Sequence, residues 1–301
     1  HPTVRHITSL LAPERSAGRL HTPVPLPMVI KAQESEGDRR ASSVFVLALG
    51  VQLPNGVSSS KDAWRMKACA TNVITQVPAT RWRLPETLGL AAGDVLRRAG
   101  HGGFVCGAEL LDNSLFCISS AEASAMDPQQ RLLLERGYEA LHGADYNKTS
   151  LLEASLVGIF LGLENHDFEQ VLALTSIGQS VFAATGSSLA IASGRLSYVF
   201  GLEGPCLAYA TACSAALAAN HANLRALCRY ECIAGLTCGV SLMLTPAVSF
   251  GFAVAGMTSA FGRCHTFDRR ADGYTRAEAC CAAALASDSA SLAVLGSAVR
   301  Q

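Results

Sequence analysis

Short apolar runs alternate along this chain with longer stretches in which apolar side chains recur every three or four residues, the signature of strands and helices taken in turn. Val44 to Leu49 is a compact β-rich run, and Gly50 with Pro54-Asn55-Gly56 is placed to end it. Ser60 predicts a cap for a helix from Lys61 to Ala70, whereas Pro78 and the turn-rich stretch from Arg81 to Gly103 predict an irregular insertion around Trp82. Asp127-Pro128 joins a capping side chain to a proline at the first helical position. Behind it Leu134, Tyr138 and Leu141 share one helical face, with Gly143 closing the helix. Leu156 to Leu161 reads as a second buried strand, and Ser187 to Phe200 as a helix with Leu189, Ala192, Leu196 and Val199 turned inward. Gly204-Pro205 interrupts the chain, Cys206 to Thr211 predicts a short buried strand, and strong helix formers follow from Ser214. Ile233 to Cys238 and Cys280 to Leu285 are further apolar runs between turns, so the alternation as a whole predicts an α/β fold.

Composition narrows the class. The chain has 301 residues, half of them hydrophobic, enough for a large core. Lys plus Arg equals Asp plus Glu at 24 each, so no net field recruits nucleic acid or an anionic membrane. The longest apolar stretches, Ala247 to Met257 and Ser155 to Leu163, fall short of the roughly 20 residues that cross a bilayer. Eleven cysteines, odd in number and scattered through alanine-rich segments, fit reduced thiols and a cytoplasmic location, with an organellar stroma as the alternative. Cys228, Cys232 and Cys238 beside His221 come nearest to a zinc cluster, but their spacing runs from a helix end into a strand, and no bound metal is expected. The proline-rich, charged stretch 1–41 reads as a linker, and the first residue, His1, points to an incomplete sequence.

Candidate chemistry centres on Cys213, predicted where the strand ending at Thr211 turns into the alanine-rich helix. Amides at a helix N-terminus and the positive end of its dipole favour a thiolate, and the same amides can hold a developing oxyanion. On the turn alone a second reading stays open, a buried cysteine acting as a small apolar residue. The chain has no Gly-x-Ser-x-Gly elbow, phosphate loop or dinucleotide turn, which removes support from hydrolase, nucleotidase and dehydrogenase readings.

Longer words decide between the two readings. Thr211-Ala-Cys-Ser214 after Gly201-Leu-Glu-Gly-Pro205 resembles the nucleophile motif of β-ketoacyl synthases, the condensing enzymes of polyketide and fatty acid synthesis. Ala125-Met-Asp-Pro-Gln-Gln-Arg-Leu-Leu-Leu-Glu135 with Tyr138-Glu-Ala-Leu141 is similar to that family's N-terminal signature in its polyketide synthase form. Ser193-Gly-Arg-Leu-Ser-Tyr198, Gly262-Arg-Cys-His-Thr-Phe-Asp268 and Ala271-Asp-Gly-Tyr274 follow in the same order and at similar spacing.

The resemblance implies a thiolase-like fold of two similar α/β halves, of which 42–290 matches the N-terminal half and 291–301 the junction to an incomplete C-terminal half. It implies that Cys213 takes an acyl group from the phosphopantetheine arm of an acyl carrier protein as a thioester, with no cofactor bound directly. A carboxylated extender thioester then loses carbon dioxide and attacks that thioester, assisted by two histidines. Those histidines belong to His-Gly-Thr-Gly-Thr and Asn-Ile-Gly-His words; here the last histidine is His265, in the basic position of the Gly-Arg-Cys-x-Thr-Phe word, so neither is assigned. The family's Gly-Phe-Gly-Gly oxyanion loop is missing too, and the chain by itself is expected not to condense. The resemblance makes Asp268, Asp272 and Glu278 bracing rather than catalytic groups, and the intact enzyme a two-fold dimer. His221, two helical turns from Cys213, is read as structural, and His101, His142 and His166 receive no role. Ala210, Ala215 and Ala216 depart from the family words without touching the thiol, whereas Ala277 and Ala279 replace glycines and would strain a turn that needed positive φ. The alternative is a non-condensing half-domain that assembles with a second chain or docks a carrier protein, and either way uncovered apolar surface is expected to promote association.

Overall fold

The computed structural model describes residues 43–83, 92–146, 156–287 and 290–300. The linker expected over 1–41 lies outside them. Eight strands are described: β1 (Val44–Gln52), β2 (Thr75–Gln76), β3 (His101–Gly102), β4 (Val157–Gly162), β5 (Cys206–Tyr209), β6 (Ala234–Ser241), β7 (Ala279–Ala286) and β8 (Leu292–Val294). The helices are α1 (Ser60–Ala68), α2 (Ala92–Ala99), α3 (Ser120–Ala125), α4 (Pro128–Gly143), α5 (Asp167–Ala173), α6 (Ala183–Ser187), α7 (Leu189–Phe200), α8 (Ala215–Cys228) and α9 (Ala247–Val254).

Six strands form one mixed sheet in the order β5-β4-β6-β7-β1-β8. β4 runs parallel to β5 and β6, and β7 runs antiparallel to both β6 and β1. The C-terminal ends of β5, β4, β6 and β1 therefore share one edge of the sheet, the edge where loops carry function in α/β folds. β4 is buried at all six positions and β6 at six of eight, as strands covered on both faces must be.

Side-chain alternation divides the sheet into two packed faces. Ile159, Leu161, Leu236, Cys238 and Ala282 point into a core shared with Leu133 and Leu134 of α4 and Leu196 of α7. Phe160 and Leu285 point to the other face, against Ala219, Leu224 and Leu227 of α8. That second face is a glycine-lined bed. Gly158 pairs with Gly235 and Gly162 with Gly239 across β4 and β6. A Cβ on Gly235 would overlap the Asn223 side chain, and one on Gly162 would overlap the Ala216 amide. α8 thus lies closer to the sheet than any residue with a side chain would allow.

Several local expectations need correction. Gly50 does not end β1: the strand continues to Gln52, and Gly50 is the point where the Arg136 carbonyl of α4 presses on it. The turn itself is made by Asn55 and Gly56, with φ of 64° and 73°. Ser59, one residue before the expected cap, accepts the Asp62 amide at 3.1 Å. The stretch expected to be irregular contains α2 and β3. Tyr138 stands half open on the rim of α4, which does end at Gly143 as expected, although the left-handed residue beyond it is Asp145. The strand carrying the cysteine word is exposed rather than buried, because among the described residues β5 pairs only with β4 and lies at the sheet's edge. Ala277 and Ala279 have no positive φ: one bridges Gly103 and the other opens β7, so alanine fits both without strain.

Candidate active site

β5 delivers the chain to the functional edge of the sheet, where Thr211 leaves the strand with φ −123° and ψ 41°. Ala212 then adopts φ 52°, a left-handed conformation that costs a residue with a Cβ of order 1–2 kcal/mol. Cys213 occupies the single 3₁₀ turn Ala212–Ser214, and α8 begins at Ala215. The sulfur-bearing residue therefore sits at the strand-to-helix turn that the sequence indicates, and it is exposed.

The floor beneath this turn is glycine. Gly162 lies directly under Ala215 and Ala216, and a Cβ on Gly239 would stand 2.8 Å from the Ala216 Cβ. Only a small residue at 216 and none at 162 or 239 lets the first turn of α8 settle there. Further along, Asn223 donates to Thr237 Oγ1 at 2.9 Å and holds the helix to β6. No side chain caps α8: Ser214, in the N-cap position, turns its hydroxyl back toward Thr211.

The carboxylates flagged by the sequence lie apart from one another in function. Glu278 is fully buried; its Oε2 accepts from the Val105 amide and from Arg81, each at 2.9 Å, and its Oε1 accepts from the Met243 amide at 2.9 Å. Burial pushes its carboxyl up, with Arg81 opposing. Since β7 starts at this edge, the one carboxylate joins the segment after β3 to the segment after β6. Asp272 accepts the Ala260 amide at 2.9 Å, and the Ser259 hydroxyl chiefly holds its carboxyl below the ordinary range. Asp268 forms a surface pair with Arg270, which lowers its carboxyl in the same way.

The histidines are dispersed. His221 Nδ1 meets Ser297 Oγ at 2.9 Å, His101 Nδ1 meets the Arg97 carbonyl at 3.0 Å, and the His142 ring lies tilted against that of Tyr138, centroids 5.9 Å apart. No interaction among the described residues pairs any of them with Cys213. Among the described residues no group of three or more His, Cys, Asp or Glu could hold a metal ion. Burial pushes the Cys232 thiol up to about 11 and the Cys238 thiol up to about 12, so both behave as core atoms. A cavity of about 580 Å³ lies between α4 and the loop carrying Phe116, away from the cysteine turn.

Sequence reasoning missed a buried polar network at the same edge. Gln129 donates to Asp127 Oδ2 and to the Asn165 carbonyl, each at 3.1 Å, and accepts from the Leu242 amide at 3.2 Å. Asp167 accepts the Leu244 and Thr245 amides at 3.0 and 3.1 Å. Arg195 pairs with Glu122 and donates to Gln130 at 2.7 Å. The signal available was the polar run Gln129-Gln130-Arg131 directly ahead of the apolar Leu132, Leu133 and Leu134.

Comparisons with known proteins agree with this geometry. Residues 41–291 match the family described as the β-ketoacyl synthase N-terminal domain. Polyketide synthase GfsA of Streptomyces halstedii is 39% identical over 78% of this chain and 3% of its own length. The spectinabilin polyketide synthase system protein NorC of Streptomyces orinoci is 34% identical over 91% of this chain and 12% of its own length. Among solved structures, the ketosynthase from module 6 of the bacillaene synthase of Bacillus subtilis superposes with a TM-score of 0.69 at 30% identity, covering 81% of this chain and 39% of that one. An oxazolomycin ketosynthase domain of Streptomyces albus gives a TM-score of 0.71 at 26% identity, covering 81% of this chain and 42% of that one. The fold is thus thiolase-like, a mixed α/β structure around one central sheet that matches part of each of those ketosynthase chains. Within that class the chain belongs to the β-ketoacyl synthase family, as the N-terminal ketosynthase domain of a polyketide synthase. It spans 3% and 12% of the lengths of the two polyketide synthases named above.

Proposed function

We propose that this chain supplies the acyl-accepting part of a ketosynthase, with Cys213 as the nucleophile. The observation that carries the reading is the position of Cys213: an exposed thiol at a strand-to-helix turn, in front of a helix that no side chain caps. The thiolate attacks the carbonyl of an acyl thioester on the phosphopantetheine arm of an acyl carrier protein, the carbon–sulfur bond to the arm breaks, and the pantetheine thiol leaves with the proton. Amides at the start of α8 are the groups available to the oxyanion. Residues 42–290 act as the domain, in keeping with the family match over 41–291.

Condensation is a separate matter. The words that carry the two histidines are not present in residues 1–301, so this stretch by itself forms the thioester and does not extend it. The exposed strand β5, with Leu207 open on it, favours in addition a partner chain, a second copy included.

Incubation with a short acyl-pantetheine thioester, followed by peptide mass analysis, tests both statements. The expected result is one acyl group on the Cys213 peptide, none in Cys213→Ala, and no decarboxylation of a malonyl thioester. A label on another residue, or chain extension by these 301 residues, would overturn the assignment.

A further inference from the structure

We propose that Thr211 and Ser214 act as a positioning clamp for Cys213, an inference that rests on the acyl-acceptor reading above. The starting observation is Ala212 at φ 52°. Among the other left-handed residues that carry a side chain, Ala70, Asp145 and Tyr230 each directly follow the C-cap of a helix and end α1, α4 or α8, and Asn55, Cys117 and Phe267 lie in surface turns. Ala212 instead precedes a helix, and nothing in helix geometry asks for it there. Strained backbone of this kind persists only where its surroundings hold it.

Two sets of contacts hold it. Below, Gly162 and Gly239 seat Ala215 and Ala216, so α8 cannot slide to relax the turn. Across the turn, the Ser214 amide donates to the Thr211 carbonyl at 3.2 Å. Ser214 Oγ also lies 2.7 Å from that carbonyl and 3.0 Å from Thr211 Oγ1. A hydroxyl has one proton to give, so the Ser214 hydroxyl donates to the carbonyl and the Thr211 hydroxyl donates to Ser214 Oγ. The residues on either side of Ala212-Cys213 are thereby closed into a small ring.

The same ring diverts a serine from its usual task. A serine at an N-cap ordinarily places its oxygen on the amides of the first helical turn. Ser214 makes no such bond. With its hydroxyl tied backward, it leaves those amides to whatever charge develops at the neighbouring cysteine. The clamp therefore does two things for the reaction: it aims the Cys213 side chain out of the turn, and it keeps a competing oxygen off the helix amides.

The test uses the 301-residue chain and three variants, Ser214→Ala, Thr211→Val and Thr211→Ser. Three quantities are read on each: the rate of acyl transfer from a short acyl-pantetheine thioester onto Cys213, the rate of Cys213 alkylation by iodoacetamide, and the thermal unfolding curve. Ser214→Ala is expected to slow acylation by about tenfold or more, the scale on which small misplacements of a nucleophile act. Thr211→Val is expected to slow it less, and Thr211→Ser, which returns the hydroxyl, to recover most of what Thr211→Val loses. Unfolding should stay in place. Acylation of Ser214→Ala at the parent rate, no recovery in Thr211→Ser, or a rate loss fully explained by unfolded protein would overturn the clamp. If the parent chain takes no acyl group at Cys213, the acyl-acceptor reading fails, and alkylation still decides the clamp: the same ordering of variants supports it and equal rates refute it.

Discussion

Asp127 shows how much a single residue can hide in a sequence. Its role as the cap of α4 is legible from Asp-Pro alone, and its Oδ1 does accept the Gln129 amide at 2.8 Å. Its burial is not legible, because that depends on α6 and the segment after β4 closing over it. Burial pushes its carboxyl up to about 6, while the Gln129 contacts and Arg131 pull down and Asp167 pushes further up. A folded-state value above the unfolded one means that the fold takes up a proton, so the stability it contributes is full below about pH 4 and is lost as pH rises through about 6. The difference amounts to about 3 kcal/mol at most. Urea unfolding of the chain and of Asp127→Asn between pH 4 and 7 should show stability falling with pH in the parent and a flatter profile in the variant. Parallel profiles would mean that the carboxylate is ionised without penalty. The Thr211–Ser214 contact is the converse case, since a serine at a helix start reads as a cap and only coordinates show it facing the other way.

Between elements, the controlling feature is the glycine bed under α8, and it makes two identical substitutions differ in sign. A Cβ at Gly162 meets the backbone of Ala216, which cannot rotate away. Gly162→Ala should therefore destabilise the fold by about 1–3 kcal/mol, the usual cost of overpacking. It should also slow acylation at Cys213, whose turn the helix carries. Gly194 lies in the middle of α7 with open space where its Cβ would be. Gly194→Ala should stabilise by about 0.5–1 kcal/mol, because alanine loses less conformational freedom in a helix. Thermal unfolding of the two variants side by side checks both, and a shift in the same direction would show that the bed is slack. The elements themselves were readable: β4, β6, β7 and α4 lie within a few residues of where apolar runs and Asp-Pro place them. Their pairing was not, since nothing local tells β7 to insert between β6 and β1.

At the scale of the whole molecule, the open edge of the sheet matters most. Among the described residues β5 leaves one row of backbone groups unpaired by any strand, and Leu207 on β5, Tyr198 on α7 and Leu217 on α8 are exposed. Sedimentation over a range of concentrations should show association. Leu207→Lys, a charge on the edge strand, should weaken it severalfold without unfolding the chain. A parent chain that stays monomeric throughout would remove the argument for a partner on this edge. Among the described residues no helix is long and apolar enough to cross a membrane.

The order of strands and helices, the cap of α4 and the place of Cys213 at a bend were set by local physics, in which neighbours a few residues apart decide conformation, and the sequence alone therefore carried them. The exposure of β5, the burial of Asp127 and Glu278 and the bed of paired glycines arise between segments tens of residues apart, and the backward turn of Ser214, although its bonds to Thr211 are local, is held by the seat that Gly162 and Gly239 give to α8. Only packing in three dimensions brings such segments within reach, so their outcome belonged to the tertiary structure.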